Sequence, residues 1–222
     1  MTKKLIIICS AVIMILGMGE AAQANLIKNG DIENNTASAT KYNMNNATFN
    51  ATVADATAFG TSQEIDLITG LDYGIAPQSG RWKLALHQNT GAATNVDAFS
   101  FHLYSPLVSG NSYNLQFFAA GKASSPLGPV EIGLAFNATT FGTLIFSGTP
   151  AGTTEWTQFD YTFIAPSNAS FLTVRNATVE DMYVFVDNFT LVPEPVTIVL
   201  FGLGGLGLIR RKRKMFAGGK WG

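Results

Sequence analysis

The side chains of this chain best suited to chemistry are aromatic rings, not nucleophiles or metal ligands. Tyr73, Trp82, Tyr104, Trp156 and Tyr183 offer flat faces on which the CH groups of a sugar can stack, if the rings lie open beside a few polar neighbours. Trp82 and Trp156 fall in strand-like stretches, where a tryptophan more commonly fills a core. Tyr73, in the loop-like stretch Gly70-Leu71-Asp72-Tyr73-Gly74, and Tyr104 are therefore the candidate ligand contacts. His87 and His102 lie in two strand-like stretches without metal-ligand spacing, and read as ordinary strand residues. No Gly-x-Ser-x-Gly elbow, phosphate loop or His-Glu-x-x-His pattern occurs. Carboxylate pairs for glycoside hydrolysis are set by separation in space, and nothing in the spacing selects a pair, so no catalytic residue is assigned.

These rings need a scaffold, and the apolar pattern predicts one made of strands. Val130, Ile132, Leu134 and Phe136 alternate with Glu131, Gly133 and Ala135, the period of a half-buried strand. The same reading holds for Trp82 to His87, Phe99 to Tyr104, Tyr113 to Phe118, Phe141 to Phe146, Thr157 to Phe163, Phe171 to Arg175 and Met182 to Leu191. Turn chemistry separates them, as in Ser125-Pro126-Leu127-Gly128-Pro129 and Pro166-Ser167-Asn168. Residues 34 to 62, rich in Asn, Thr and Ala, are expected to form a long loop or weak strands. Many short strands without a long helical stripe argue for an all-β fold, a single β-sandwich of jelly-roll type.

Both ends of the chain read as addresses. Lys3 and Lys4 precede an apolar stretch from Leu5 to Met18, and Ala22-Gln23-Ala24 is the small-x-small pattern cut by signal peptidase. Residues 1–24 are thus expected to be a signal peptide and the mature chain to begin at Asn25. Near the other end, Pro193, Glu194 and Pro195 interrupt regular structure, an uncharged run follows over 196–209, and then come Arg210, Arg211, Lys212, Arg213 and Lys214. A short apolar helix stopped by five cations implies entry into a membrane, with the basic cluster on the cytoplasmic side. The lone Cys9 lies within the signal segment, so no disulfide framework is expected.

Between these addresses, residues 25–192 are sized for one domain. Six Lys and Arg stand there against thirteen Asp and Glu, a net charge of 6 − 13 = −7. Such a surface lacks the clustered cations that phosphate binding needs, which excludes a nucleic-acid role.

The order Pro193-Glu194-Pro195, apolar run, basic cluster resembles the PEP-CTERM sorting signal of Gram-negative bacteria. The resemblance, carried by residues 192–214 of a sorting segment taken as 193–222, implies export through the inner membrane, processing by an exosortase as well as signal peptidase, and a place on the cell surface or in the extracellular matrix. A second resemblance lies in the domain. Asn25-Leu26-Ile27-Lys28-Asn29-Gly30-Asp31-Ile32-Glu33 is similar to the opening of carbohydrate-binding modules with a galactose-binding-like jelly roll, and Val184 to Leu191, with Asp187-Asn188, to their closing strand. Leu107 to Leu115 and Trp156 to Phe163 resemble their inner motifs. This resemblance implies that first and last strands lie side by side, and that Glu33 and Asp187 help hold a structural calcium ion, completed by backbone carbonyls such as those of Gly30 or Lys83. Together the two resemblances imply a non-catalytic protein associated with extracellular polysaccharide. A coat or biofilm component without a small ligand is the alternative, and a polysaccharide-acting enzyme a more distant one.

Overall fold

A computed structural model describes residues 24–88, 96–176 and 181–194. The signal segment up to Gln23, with Ala22, the apolar run 196–209 and the basic residues Arg210 to Lys214 lie outside the described residues, as does Pro195. Among the described residues no helix is long and apolar enough to cross a membrane.

Among the described residues eleven strands pair antiparallel into two sheets, as the alternating pattern predicts. They are β1 (Lys41–Met44), β2 (Ala56–Ala58), β3 (Ile65–Thr69), β4 (Trp82–His87), β5 (Ala98–His102), β6 (Ser112–Gly121), β7 (Val130–Ala135), β8 (Thr143–Gly148), β9 (Thr157–Ile164), β10 (Phe171–Asn176) and β11 (Tyr183–Pro193). One sheet has the order β1-β3-β4-β11-β6-β9 and the other β2-β5-β10-β7-β8. The result is a β-sandwich of jelly-roll type. Between the sheets the inward-facing residues of both form one core, with Leu84, Leu86, Ile132, Leu172, Val174 and Val184 buried. At its centre Phe117 and Phe189 stack at 5.0 Å and 4°, and Phe101 packs on Phe189 at 5.0 Å.

The phasing of β11 deserves a physical reason, because strict alternation would turn Phe189 outward once Val184 and Val186 face the core. A register shift between Asp187 and Thr190, with Asn188 at φ 52°, supplies the extra residue. This bulge re-phases the strand so that Val186, Phe189 and Leu191 all point inward. Opposite it, the Gly30 carbonyl accepts from the Phe189 amide at 2.8 Å, and a Cβ on Gly30 would stand only 2.0 Å from the Phe189 carbonyl oxygen. The opening segment therefore lies against the closing strand, with a second bond from the Leu26 amide to the Leu191 carbonyl at 2.8 Å.

Residues 34–62 are more regular than their composition implied. They hold β1, β2 and a seven-residue helix α1 (Asn46–Thr52). Asparagine side chains bond the backbone there: Asn45 caps the helix by accepting from the Thr48 amide at 2.8 Å, and Asn50 Oδ1, within the helix, accepts from the Ala58 amide of β2 at 2.6 Å. Phe49, one of the few large apolar side chains of the stretch, is fully buried and pins the helix to the core.

Candidate functional site

Each strand of the six-stranded sheet has a second face, turned away from the sandwich core. On β4 it presents Lys83, Ala85 and His87, on β11 Tyr183, Phe185 and Asp187, and on β3 Asp66 and Ile68. The loop between β3 and β4 folds over this face. Its Ile75 joins a separate apolar cluster with Ile68, Ala85, Ala120, Tyr183 and Phe185, against which Tyr73 and Trp156 pack partly buried.

Lys83 anchors the loop. Its buried ammonium donates to the carbonyls of Gly70, Asp72 and Ile75 at 3.2, 3.3 and 2.7 Å, and burial brings it down to about 8. A single turn of 3-10 helix at Asp72–Gly74 follows, within which Tyr73 sits at φ 62°, a left-handed conformation that a bulky residue adopts only under constraint. On the far side of the loop, Trp156 donates its indole N–H to the Ala76 carbonyl at 3.0 Å.

Around Tyr73 the rings converge. Tyr42 meets it edge-on at 6.0 Å and Tyr183 lies at 5.4 Å. Lys122 holds its ammonium 4.6 Å above the Tyr73 ring and 4.4 Å above that of Tyr183. The polar tips are tied down: Tyr183 donates its hydroxyl to Asp66, whose other carboxylate oxygen accepts from the Asn43 amide at 2.7 Å. Tyr42 and Thr40 both donate to Asp72 at 2.9 Å. The Asp72 carboxylate in turn pushes the Tyr42 hydroxyl up to about 12, while burial first, and then the Asp66 charge, raises Tyr183. His87 rests on the Tyr183 ring at 4.9 Å, with Nδ1 3.0 Å from Glu64 and Nε2 3.5 Å from Asp181. Tyr42, half exposed, forms the open lip of this assembly.

Tyr104 is not brought to this site. It follows β5 of the other sheet, is well exposed, and carries only the Lys28 ammonium over its ring at 5.9 Å. Trp82 fills the sandwich core as expected, whereas Trp156 serves the outer face instead. His87 is more than an ordinary strand residue, for it packs within the aromatic group. Tyr42, Asp66, Asp72 and Lys122 were not singled out from the sequence, and Lys83 only for its carbonyl, yet the alternation that puts Val184 and Val186 in the core puts Tyr183, Phe185 and Asp187 on the opposite face.

Glu33 and Asp187 act on one stretch of backbone. Asp187 Oδ2 accepts from the amides of Gln78 and Ser79 at 2.8 and 3.3 Å, and Oδ1 from Asn188 at 2.7 Å. Glu33 Oε1 accepts from Arg81 and Trp82 at 2.7 and 2.8 Å. Gly80 lies between, at φ 61°, where a Cβ would stand 2.4 Å from Glu33 Oε1. Burial, with the Glu33 charge as a lesser cause, pushes Asp187 up to about 7. A pair of like charges with carboxylate oxygens turned to one strap is a donor set compatible with a divalent cation, although the amides already satisfy part of it. Among the described residues no group of three or more His, Cys, Asp and Glu side chains is arranged to hold a metal.

At the end of β11, Pro193 stands opposite Tyr113, and Glu194 follows. The PEP-CTERM protein-sorting motif matches residues 191–214. The chain carries a PEP-CTERM sorting signal. This motif implies an exported, exosortase-processed protein. Curated proteins give no match to the sequence. Among solved structures, the fold is similar to a Stig cyclase from Fischerella sp. TAU, at 15% identity and TM-score 0.54 over 78% of this chain and 99% of that one. It is also similar to part of the arabinose-bound GH51 α-L-arabinofuranosidase, at 19% identity and TM-score 0.50, over 79% of this chain. This chain spans only 27% of that enzyme. TmCBM61 in complex with β-1,4-galactotriose aligns at 15% identity and TM-score 0.48, over 77% of this chain and 99% of that one. At these identities the likeness is one of fold.

Proposed function

We propose that this exported protein is a non-catalytic, polysaccharide-associated component of the cell surface or extracellular matrix, and that it meets its glycan on the outer face of the six-stranded sheet around Tyr73. The observation that carries this reading is the convergence of Tyr42, Tyr73 and Tyr183 on a strained turn, rimmed by Asp72 and Lys122. Flat rings beside fixed hydrogen-bonding groups suit the CH faces and hydroxyls of a sugar chain. The turn at φ 62° holds the Tyr73 ring against Tyr42 and Tyr183, at a position where a relaxed turn would favour glycine.

A non-catalytic role is supported by where the perturbed carboxyls are spent. Asp66, Asp97 and Asp187 are all raised by burial, as general acids often are, but each is fully buried and bonded to backbone amides, Asp66 also to Tyr183. None presents its carboxyl to solvent. Calcium belongs to the proposal as a structural ion: Glu33 and Asp187 would supply carboxylate oxygens, with backbone carbonyls such as those of Gly30 or Lys83, and the ion would fasten the opening segment to the closing strand.

The test is affinity electrophoresis of the purified protein through gels cast with bacterial exopolysaccharides. Retardation by at least one neutral or acidic polysaccharide, lost in Tyr73→Ala, supports the reading. A well-folded protein that no polysaccharide retards would be a structural coat component instead.

A further inference from the structure

The sorting tripeptide does not begin where the fold stops. Its first residue, Pro193, is the last residue of β11, opposite Tyr113 on β6. Its second, Glu194, donates its amide to the Ser112 carbonyl at 2.9 Å, and its carboxylate accepts from the Thr162 hydroxyl of β9 at 3.4 Å. Val192, Pro193 and Glu194 are all half-buried. Proline has no N–H to leave unpaired, so Pro193 costs the ladder little at this end.

The strand leading into the motif is gripped from its other side by the opening segment. Asn25 Oδ1 accepts from the Leu191 amide at 2.9 Å and Asn25 Nδ2 donates to the Phe189 carbonyl at 3.0 Å, while the Leu26 amide bonds the Leu191 carbonyl at 2.8 Å. No spacer separates the sheet from the motif. An enzyme that selects a tripeptide must reach its backbone and side chains, and here the Glu194 amide and carboxylate are both engaged within the sheet.

We propose that the fold withholds its own sorting signal: the exosortase takes the tripeptide only from chains in which the last rung of β11 is open, before the sheet closes or while its end frays. Asn25 and Thr162 act as positioning residues through their side chains, and Ser112 through its carbonyl, by setting how often that rung opens. This rests on the chain being an exosortase substrate. Tail removal is thereby coupled to folding, and a chain that folds quickly keeps its membrane tail longer.

The test is a pulse-chase of the full-length protein in cells that contain an exosortase, reading tail removal as a mobility shift. A short Gly-Ser insert between Val192 and Pro193 frees the motif and is expected to speed removal about fivefold, the worth of roughly one net backbone hydrogen bond. Thr162→Val, which keeps shape and fold, is expected to give a smaller gain in the same direction. Glu194→Ala controls for recognition and is expected to stop removal. If Glu194→Ala stops it while the insert and Thr162→Val leave the rate unchanged, withholding is overturned and the substrate reading stands. If Glu194→Ala is processed at the normal rate, the motif is not read and both fail. Hydrogen exchange on the purified full-length protein gives an independent reading: slow exchange of the Glu194 amide supports docking, and exchange at the free-peptide rate overturns it.

Discussion

Asp187 in the closing strand and Glu33 in the opening segment hold one strap of backbone between them, Asp187 by the amides of Gln78 and Ser79 and Glu33 by those of Arg81 and Trp82. The strap carries the loop that sets Tyr73, so two carboxylates from opposite ends of the domain position its aromatic face. Removing the Asp187 carboxylate leaves three amides without a partner, and Asp187→Ala is expected to cost about 3 kcal/mol in chemical denaturation.

Asp187 also makes stability depend on pH. Burial lifts it from 3.8 to about 7 in the folded protein. Between those values the folded state holds more protons than the unfolded state, so this contribution is complete at low pH and is lost as pH rises through about 7. Asp97, also at about 7, acts in the same direction. Thermal melts from pH 4 to pH 8 should therefore show a falling contribution that is weaker in Asp187→Asn. Calcium should raise the melting temperature of the native protein at pH 8, where Asp187 is ionised, and leave that of Asp187→Asn unchanged. A native protein indifferent to calcium would remove the ion from the account and leave the amide strap standing.

Lys83 works as an internal clamp, three carbonyls of the Tyr73 loop converging on one ammonium. Lys83→Met keeps the length and apolar stem but loses every donor. The expected loss is about 2 to 4 kcal/mol, because the loop carbonyls are left without their buried partner. Heteronuclear NMR should show the change concentrated at residues 70–76, with the sandwich core undisturbed.

How much of this was readable beforehand depended on whether a signal was local. Alternation marked β4 and β11 closely, because Leu84, Leu86, Val184 and Val186 repeat with the period of the pleat. The sorting signal was equally plain, for Pro193, Glu194 and the basic cluster are contiguous. Residues 34–62 misled, because Asn45 and Asn50 read as loop formers, whereas Asn45 caps the helix at Thr48 and Asn50 ties it to Ala58 of β2. Tyr73 could be suspected from its glycine-flanked loop, but nothing in sequence distance joins it to Tyr42, Lys122 and Tyr183, which three different segments bring together. Tyr104 is the same residue type, lies more exposed than Tyr73, and follows a strand of the other sheet.

The core itself should be least tolerant at Phe189, which the bulge at Asn188 turns inward onto Phe101 and Phe117. Phe189→Ala leaves a cavity at the centre of the stack and is expected to destabilise by about 3 to 5 kcal/mol. Phe136, exposed beyond β7, should tolerate the same substitution within about 0.5 kcal/mol.

The central claim is that Tyr73 is strained into place for a glycan, and Tyr73→Gly separates its two roles. Glycine accepts φ 62° without cost, so the variant should keep native stability to within about 1 kcal/mol while losing the ring. Isothermal titration calorimetry of native protein and Tyr73→Gly against purified matrix polysaccharide is the most direct measurement. Saturable binding by the native protein, weakened at least about tenfold in an equally stable Tyr73→Gly, is the result expected from loss of a stacking ring. Equal affinity in the two proteins would contradict the account and move the glycan contact away from this face.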